Sequence, residues 1–296
     1  MSSTTPMRGL QQDGWFREES VMWPGQAMSL KVGKVEYSAQ TKFQDLAVFE
    51  NEGPWGTVLT LDGAIQITDK DEFVYHEMMA HVPLYAHPKP EKVLIIGGGD
   101  GGVMREVIKH PSVVSCDLVD IDGDVIEQSK KFFPQVAESF ASPKTNTMVG
   151  DGAAFIATKT AEYDVIIVHS SDPEGPASAL FGQEFYTNVK KALRPGGIVC
   201  SQGENLWIHQ GIIEKMMNFL KGDIQFTTVK YGMIYIPTYP CGSIGCLISS
   251  LGDHDVSTPL RNVEDDAFAA NLKYYDTSIH KGAFALPRFG AHLNKN

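Results

Sequence analysis

Cysteine is scarce in this chain: there are four in 296 residues, Cys116, Cys200, Cys241 and Cys246. None sits in a CxxC pair and most fall inside apolar runs, so neither a disulfide scaffold nor a redox motif is indicated. Nothing near the N-terminus resembles a secretory signal, and reduced thiols in a cytoplasmic protein are the expectation. Basic residues are also in deficit, with 25 Lys and Arg against 36 Asp and Glu and a formal charge of −11. That sign is wrong for a phosphate-backbone binder and suits attraction of cationic ligands. No apolar run reaches the roughly 18 to 20 residues that span a bilayer, so no membrane partner is expected.

What is present is a clear change of pattern along the chain. Residues 1–12 are polar and aperiodic and read as a disordered leader. From about Met28 to Thr68, runs with strand character (MSLKVGKVEY, FQDLAVFE, GTVLTLDG, AIQIT) alternate with Gly, Pro and Asp-Gly punctuation. This predicts a small antiparallel β domain over residues 13–70. DEFVYHEMMAHVPLY then returns to helical spacing. Beyond it, apolar strands alternate with helices: KVLIIG, VMREVIKH, CDLVDI, DVIEQSKKFF, NTMVGD, AAFIATK and YDVIIVHSS. Such alternation predicts an α/β domain, residues 71–296, with a doubly wound parallel sheet buried on both faces. The helix FYTNVKKALRPGG precedes the buried strand IVCSQG, and TTVKYGMIYIP and IGCLISS flank a turn that makes a hairpin.

The chemistry concentrates at the predicted carboxyl ends of these strands. Gly97-Gly98-Gly99-Asp100-Gly101-Gly102 follows the first strand and opens a helix, a turn in which backbone can approach a nucleoside closely. Asp120 ends the next strand about twenty residues on, where an acid can hold ribose hydroxyls. Asp151, before Gly152, ends the third and could accept from an adenine amino group. A pyrophosphate would disfavour Asp100 inside its loop. A sulfonium nucleoside whose side chain ends in an amine suits that acid, which points to decarboxylated S-adenosylmethionine as co-substrate, with no tightly bound cofactor.

LIIGGGDGGVMREVIKH, DGAIQITDKDEFVYHEM, SSDPEGPA, QGE and IPTYPCGSIG together resemble the spermidine synthases, and the resemblance runs from GWFREESVMWPGQAMSL to FALPRF. The resemblance implies an N-terminal β domain, a Rossmann-like, methyltransferase-fold catalytic domain and a homodimer. It implies transfer of an aminopropyl group from decarboxylated S-adenosylmethionine to putrescine, with release of methylthioadenosine. Carried over motif by motif, Gln44, Asp100, Asp120, Asp151, Gly152 and Ser170 hold the donor, with Leu61 and Gln66 nearby. Asp172, Tyr75, His76, Tyr239, Trp23 and Gln202 line the diamine channel. A diammonium ligand on a four-carbon stem wants an acid and aromatic walls in any case.

The sequence departs from the family at one position. Its members end the fourth strand with a catalytic Asp before S/T-S/T-D-P, and here that place holds His169, with Asp172 following. A carboxylate can take the amine proton and offset the charge developing on nitrogen, whereas imidazole can only accept a hydrogen bond, and only when neutral. The readings left open are an active or impaired spermidine synthase, a putrescine N-methyltransferase and a non-catalytic ligand-binding homologue. His76 and His81 superficially suggest a zinc-type HExxH, but their five-residue spacing rotates them about 140° apart on a helix, so no metal is expected.

Overall fold

The computed structural model describes residues 6–170, 180 and 182–295. The N-terminal part is an antiparallel sheet in sequence order: β1 (Trp15–Glu18), β2 (Met28–Gln40), β3 (Asp45–Asn51), β4 (Thr57–Leu61) and β5 (Ala64–Thr68). Strand alternation splits β3 between two cores. Ala47 and Phe49 pack with Phe16, Leu30 and Val58 on one face. Leu46 and Val48 pack on the other against Val125, Phe133 and Val136. Asp62 and Gly63, both at positive φ (51° and 79°), form the tight turn between β4 and β5. The short strand β1 lacks an alternating run long enough to be read from sequence. Within the segment expected as leader, Met7 is buried in the sheet's core and Leu10 bridges Phe16.

Helix α1 (Glu72–Ala86) leads into the second unit. Its elements are β6 (Lys92–Gly97), α2 (Gly102–Val107), β7 (Ser115–Asp120), α3 (Gly123–Phe132), α4 (Pro134–Ala137), β8 (Thr145–Val149) and α5 (Gly152–Ala157). There follow β9 (Tyr163–His169), α6 (Gln183–Ala192), β10 (Leu193–Gln202), α7 (Leu206–Gly222), β11 (Thr228–Tyr235), β12 (Ser243–Ser250) and α8 (Thr277–Ala283). The sheet runs β11-β12-β10-β9-β6-β7-β8. Strands β10, β9, β6, β7 and β8 are parallel, and β12 is antiparallel to both its neighbours. This is the expected Rossmann-like doubly wound fold, with its topological switch between β6 and β9, where a crevice opens at the strands' carboxyl ends. Val93, Ile95, Val165 and Ile167 face α1, and Leu94, Ile96, Ile166 and Val168 face α6 and α7.

One boundary differs from expectation. The sequence carries a helix through ALRPGG, but α6 stops at Ala192 and β10 begins at Leu193. Pro195 is tolerated there because the pairing with β9 shifts register between Leu193 and Ile198, and Gly196 takes φ +79°.

Helix α1 is buried on almost every side although it carries Glu72, His76, Glu77 and His81. Each charge has a partner. Glu77 accepts the backbone N–H groups of Lys273, Tyr274 and Tyr275 at 2.8–2.9 Å. Glu72 receives Arg105 bidentately (3.1 and 2.9 Å), and Arg105 Nε reaches Glu106 Oε1 at 2.7 Å. Glu106 also takes Lys109 at 2.7 Å and lies 3.3 Å from His81 Nε2. Burial alone would raise both glutamates, yet His76 and Arg105 hold Glu72 down at about 2, and His81, Lys109 and Arg105 hold Glu106 well below its ordinary range.

Removing Arg105 would leave two buried carboxylates without their shared cation. Arg105→Ala is expected to cost about 3–5 kcal/mol of stability. Urea unfolding of both proteins measures this, and an unchanged midpoint would show the cation to be dispensable.

Candidate active site

The glycine turn after β6 is built by close approach. Gly97 and Gly98 have φ +80° and +71°. A Cβ on Gly97 would lie 2.0 Å from the His169 carbonyl oxygen, and one on Gly98 would lie 2.8 Å from His169 Nδ1. Only glycine fits against the end of β9 there. The Gly99 N–H donates to Asp120 Oδ2 and the Asp122 N–H to Asp120 Oδ1, both at 2.8 Å. Burial nevertheless outweighs these two bonds, and with Asp122 and Asp100 nearby the Asp120 carboxyl rises to about 6. Asp151 caps α5, its Oδ1 accepting from Ala153 and Ala154. A Cβ on Gly152 would collide with Ile96 at 2.4 Å.

These residues surround a cavity of about 140 Å³ lined by Gly97, Gly98, Gly99, Asp100, Asp120, Asp151, Gly152, His169, Ser170 and Leu180. Gln44, Leu61 and Gln66, from the N-terminal sheet, close it and also line a larger, more open cavity of about 840 Å³. Trp23, Gln202 and Tyr239 line that second cavity. The structure thus brings together the residues expected around a nucleoside and sets three of those expected around a diamine next door, with Gln44, Leu61 and Gln66 as a shared wall. Asp172 lies outside the described residues.

Tyr75 and His76 sit behind the walls. Tyr75 is 3% exposed, its hydroxyl has no hydrogen-bond partner among the described residues, and burial raises its pKa well above 10. Its ring lies 4.8 Å from that of His169 and 6.0 Å from that of Tyr239. His76, fully buried, is placed between two carboxylates: Nδ1 is 2.6 Å from Glu72 Oε2 and Nε2 is 3.1 Å from Asp100 Oδ1. The second contact is an ion pair with a poor hydrogen-bond angle, because Nε2 finds no aligned acceptor. Burial pulls His76 down, but Asp100 and Glu72 prevail and lift it to about 9. His76 therefore presents no ring nitrogen to a diamine, contrary to its place among the channel residues. His81 turns to Glu106 instead, so the two histidines of HEMMAH address different carboxylates.

Asp100 lines the cavity together with Asp120 and Asp151. Its Oδ1 accepts the Gly102 N–H at 2.7 Å. Burial would raise it, but His76 foremost, then His169 and the Gly102 N–H, keep it well below the usual carboxylate range. His169, at the end of β9, has Nδ1 buried without a hydrogen-bond partner and 3.9 Å from Asp100 Oδ2. Burial presses it down to about 4 against the pull of Asp100, with His76 adding to the depression. The ring is neutral at physiological pH.

Several residues that shape the site carried no readable signal. Asp71 Oδ1 accepts from Thr68, and its Oδ2 from the Thr238 N–H and hydroxyl. It thereby ties the Tyr239 loop to the start of α1, and Tyr239 completes the tie by donating to the Gln66 carbonyl at 2.9 Å. Glu204, in the left-handed region at φ +57°, lines the larger cavity and pairs with His209 at 2.9 Å. A long-range carboxylate bond to a loop has no local sequence pattern. Glu204 does fall within the QGE motif.

Residues 14–69 match the family described as the spermidine synthase tetramerisation domain, and residues 72–256 match the spermine/spermidine synthase domain. A spermidine synthase of Schizosaccharomyces pombe is 49% identical over 279 residues, covering 94% of this chain and 93% of that protein. One from Dictyostelium discoideum is 46% identical over 280 residues, covering 95% and 97%. Among solved structures, a spermidine synthase in complex with the transition-state analogue AdoDATO aligns with a TM-score of 0.85 at 35% identity, over 97% of this chain and 96% of that one. The spermidine synthase from Thermotoga maritima aligns at 0.83 with 34% identity, over the same shares. Near-half identity along almost the whole length, on the same fold, settles the kinship: this chain belongs to the spermidine synthase family.

Proposed function

We propose that the chain transfers the aminopropyl group of decarboxylated S-adenosylmethionine to putrescine, giving spermidine and methylthioadenosine, at a rate limited by His169. The observation that carries this reading is Asp100, an ionised acid on the wall of a cavity it shares with Asp120 and Asp151, beside a second, larger cavity lined by Trp23 and Tyr239. In this reading Asp120 and Asp151 take the ribose and adenine, and Gly152, Ser170, Gln44, Leu61 and Gln66 enclose them. Asp100 faces the arm's ammonium. Trp23, Gln202 and Tyr239 hold the diamine with Asp172, and Tyr75 backs the reacting region. Residues 13–70 form the β domain and 71–296 the catalytic domain of a cytoplasmic homodimer, joined through the N-terminal sheet whose match is to a tetramerisation domain. Among the described residues, no helix is long and apolar enough to cross a membrane.

The reaction is a displacement at the carbon next to sulfonium, and its nucleophile must be a neutral amine. Neutral His169 can accept one hydrogen bond from that amine. It cannot offset the positive charge that grows on nitrogen, which an ionised Asp would do. Asp100 cannot fully substitute, since His76 already draws on its charge.

Donor choice follows from the same carboxylate. The decarboxylated donor brings an ammonium to Asp100, whereas S-adenosylmethionine adds a carboxylate beside it. The decarboxylated form should bind on the order of a hundredfold more tightly. Titration calorimetry with both donors decides the matter, equal affinities being incompatible with the role given to Asp100 and favouring a methyltransferase. His169→Asp should raise spermidine formation by roughly a hundred- to ten-thousandfold. Donor affinity should change little, because Asp120 and Asp151 lie on other strands. Turnover and donor affinity of both forms, measured side by side from pH 6 to 9, provide the check. Equal turnover would move amine activation to Asp172 or Asp100.

A further inference from the structure

The residue at the end of β9 differs from a carboxylate in a second way: neutral imidazole is a good nucleophile towards carbon. His169 lies on the wall of the smaller cavity between the glycine turn and Ser170. Its ring is fixed on several sides. Nδ1 is buried against Gly98, with Asp100 Oδ2 at 3.9 Å, and Tyr75 lies across the ring at 4.8 Å. The side chain is 14% exposed; Nδ1 is buried without a partner, and Nε2 is not among the described side-chain atoms that are buried and unpaired. The ionised Asp100 on the Nδ1 side favours the tautomer with its proton on Nδ1, which leaves the lone pair on Nε2 of a ring that lines the cavity. A fixed lone pair beside an electrophile meets the positional demand of nucleophilic catalysis.

We propose that His169 is itself alkylated when the donor is bound and no amine acceptor is present, so that the chain becomes covalently aminopropylated at Nε2. This rests on the reading of the smaller cavity as the site of decarboxylated S-adenosylmethionine. The step balances without any further reactant. The Nε2 lone pair attacks the methylene carbon attached to sulfur, a carbon–nitrogen bond forms, and the carbon–sulfur bond breaks with its electron pair left on sulfur. Methylthioadenosine departs as a neutral thioether. The positive charge passes to the ring as an N-alkylimidazolium, with the proton still on Nδ1 and Asp100 beside it. An alkylimidazolium carbon has no sulfonium-like leaving group, so the modification persists and blocks the path of an incoming amine. A bound diamine would compete by occupying the same line of attack.

The test is to incubate the full chain with decarboxylated S-adenosylmethionine alone, then map its peptides by mass spectrometry and measure methylthioadenosine. One aminopropyl group on the peptide carrying His169, matched by one methylthioadenosine per chain and reduced by added putrescine, is the expected result. His169→Gln should lose the label while calorimetry shows that it still binds the donor. His169→Asn serves in the same way if the Gln form does not fold. Absence of the label from a wild-type chain that makes spermidine would overturn the proposal and leave the assigned function standing, as would a label on another residue. Failure of the wild-type chain to bind the donor would bring down both.

Discussion

The contact on which the site depends is the run of alternating charges between α1 and α2. Asp100, His76, Glu72, Arg105 and Glu106 follow one another through contacts of 2.6–3.1 Å, and Lys109 ends the run at the surface. Five such groups could not be buried singly, since each would shed its charge or unfold its surroundings. Joined, each cation stabilises the acids on either side. The consequence at the cavity is that Asp100 stays ionised although little exposed. The cost is that His76 claims part of its field, so the charge left for a ligand depends on how strongly Glu72 holds the imidazolium in turn. Because His76 is raised to about 9 from 6.5, its contribution to stability is complete below pH 6.5 and is lost as pH rises through 9. The acids act in the opposite sense, contributing above their ordinary values and failing in acid.

A second constraint sets the two cavities side by side. The larger sheet supplies a crevice at the carboxyl ends of β6 to β9, but a crevice alone is open to solvent. The N-terminal sheet closes it with Gln44, Leu61 and Gln66. Its position is held by side-chain bonds across the boundary, from Thr41 and Gln44 to Asp122 at 2.7 and 3.0 Å, and from Tyr239 back to the Gln66 carbonyl. Leu46, Val48, Leu59 and Ile67 reinforce this against α3 and α4. Asp122 therefore serves both units, capping α3 through the Asp124 N–H while accepting from the N-terminal sheet. A shift of that sheet would open both spaces together.

Much of this was legible in the sequence, because strand and helix periods are local and the chemistry of an α/β crevice falls at strand ends. The glycine turn, Asp120 and Asp151 could be placed from order alone. What escaped depended on contacts distant in sequence. His76 sits next to Tyr75 in a motif that resembles a ligand channel, yet its partners are Glu72 one turn back and Asp100 on another element, and nothing in YHEMM reveals that the ring is buried behind Asp100. Asp71 binds Thr238 across 167 residues. Leu193 begins a strand despite the Pro195 beyond it, since a register shift absorbs what propensity alone would assign to a helix end.

His169 shows how a single position can be read from its neighbours rather than from its type. A histidine in the open beside two cations would titrate near neutrality. Here enclosure decides: the ring lies under Tyr75, against a glycine turn that admits no Cβ, and with Nδ1 shut off from water. Desolvation penalises only the charged form, so it overcomes the attraction of Asp100 and keeps the ring neutral. An Asp at the same place would suffer the same penalty, but would gain from each cation entering the cavity, whereas neutral imidazole gains little. The same walls therefore suit a carboxylate to stabilising an amine's developing charge and leave the histidine's lone pair free for the electrophile. The outcome of a donor meeting this site is set by which nucleophile lies in line with the carbon–sulfur bond.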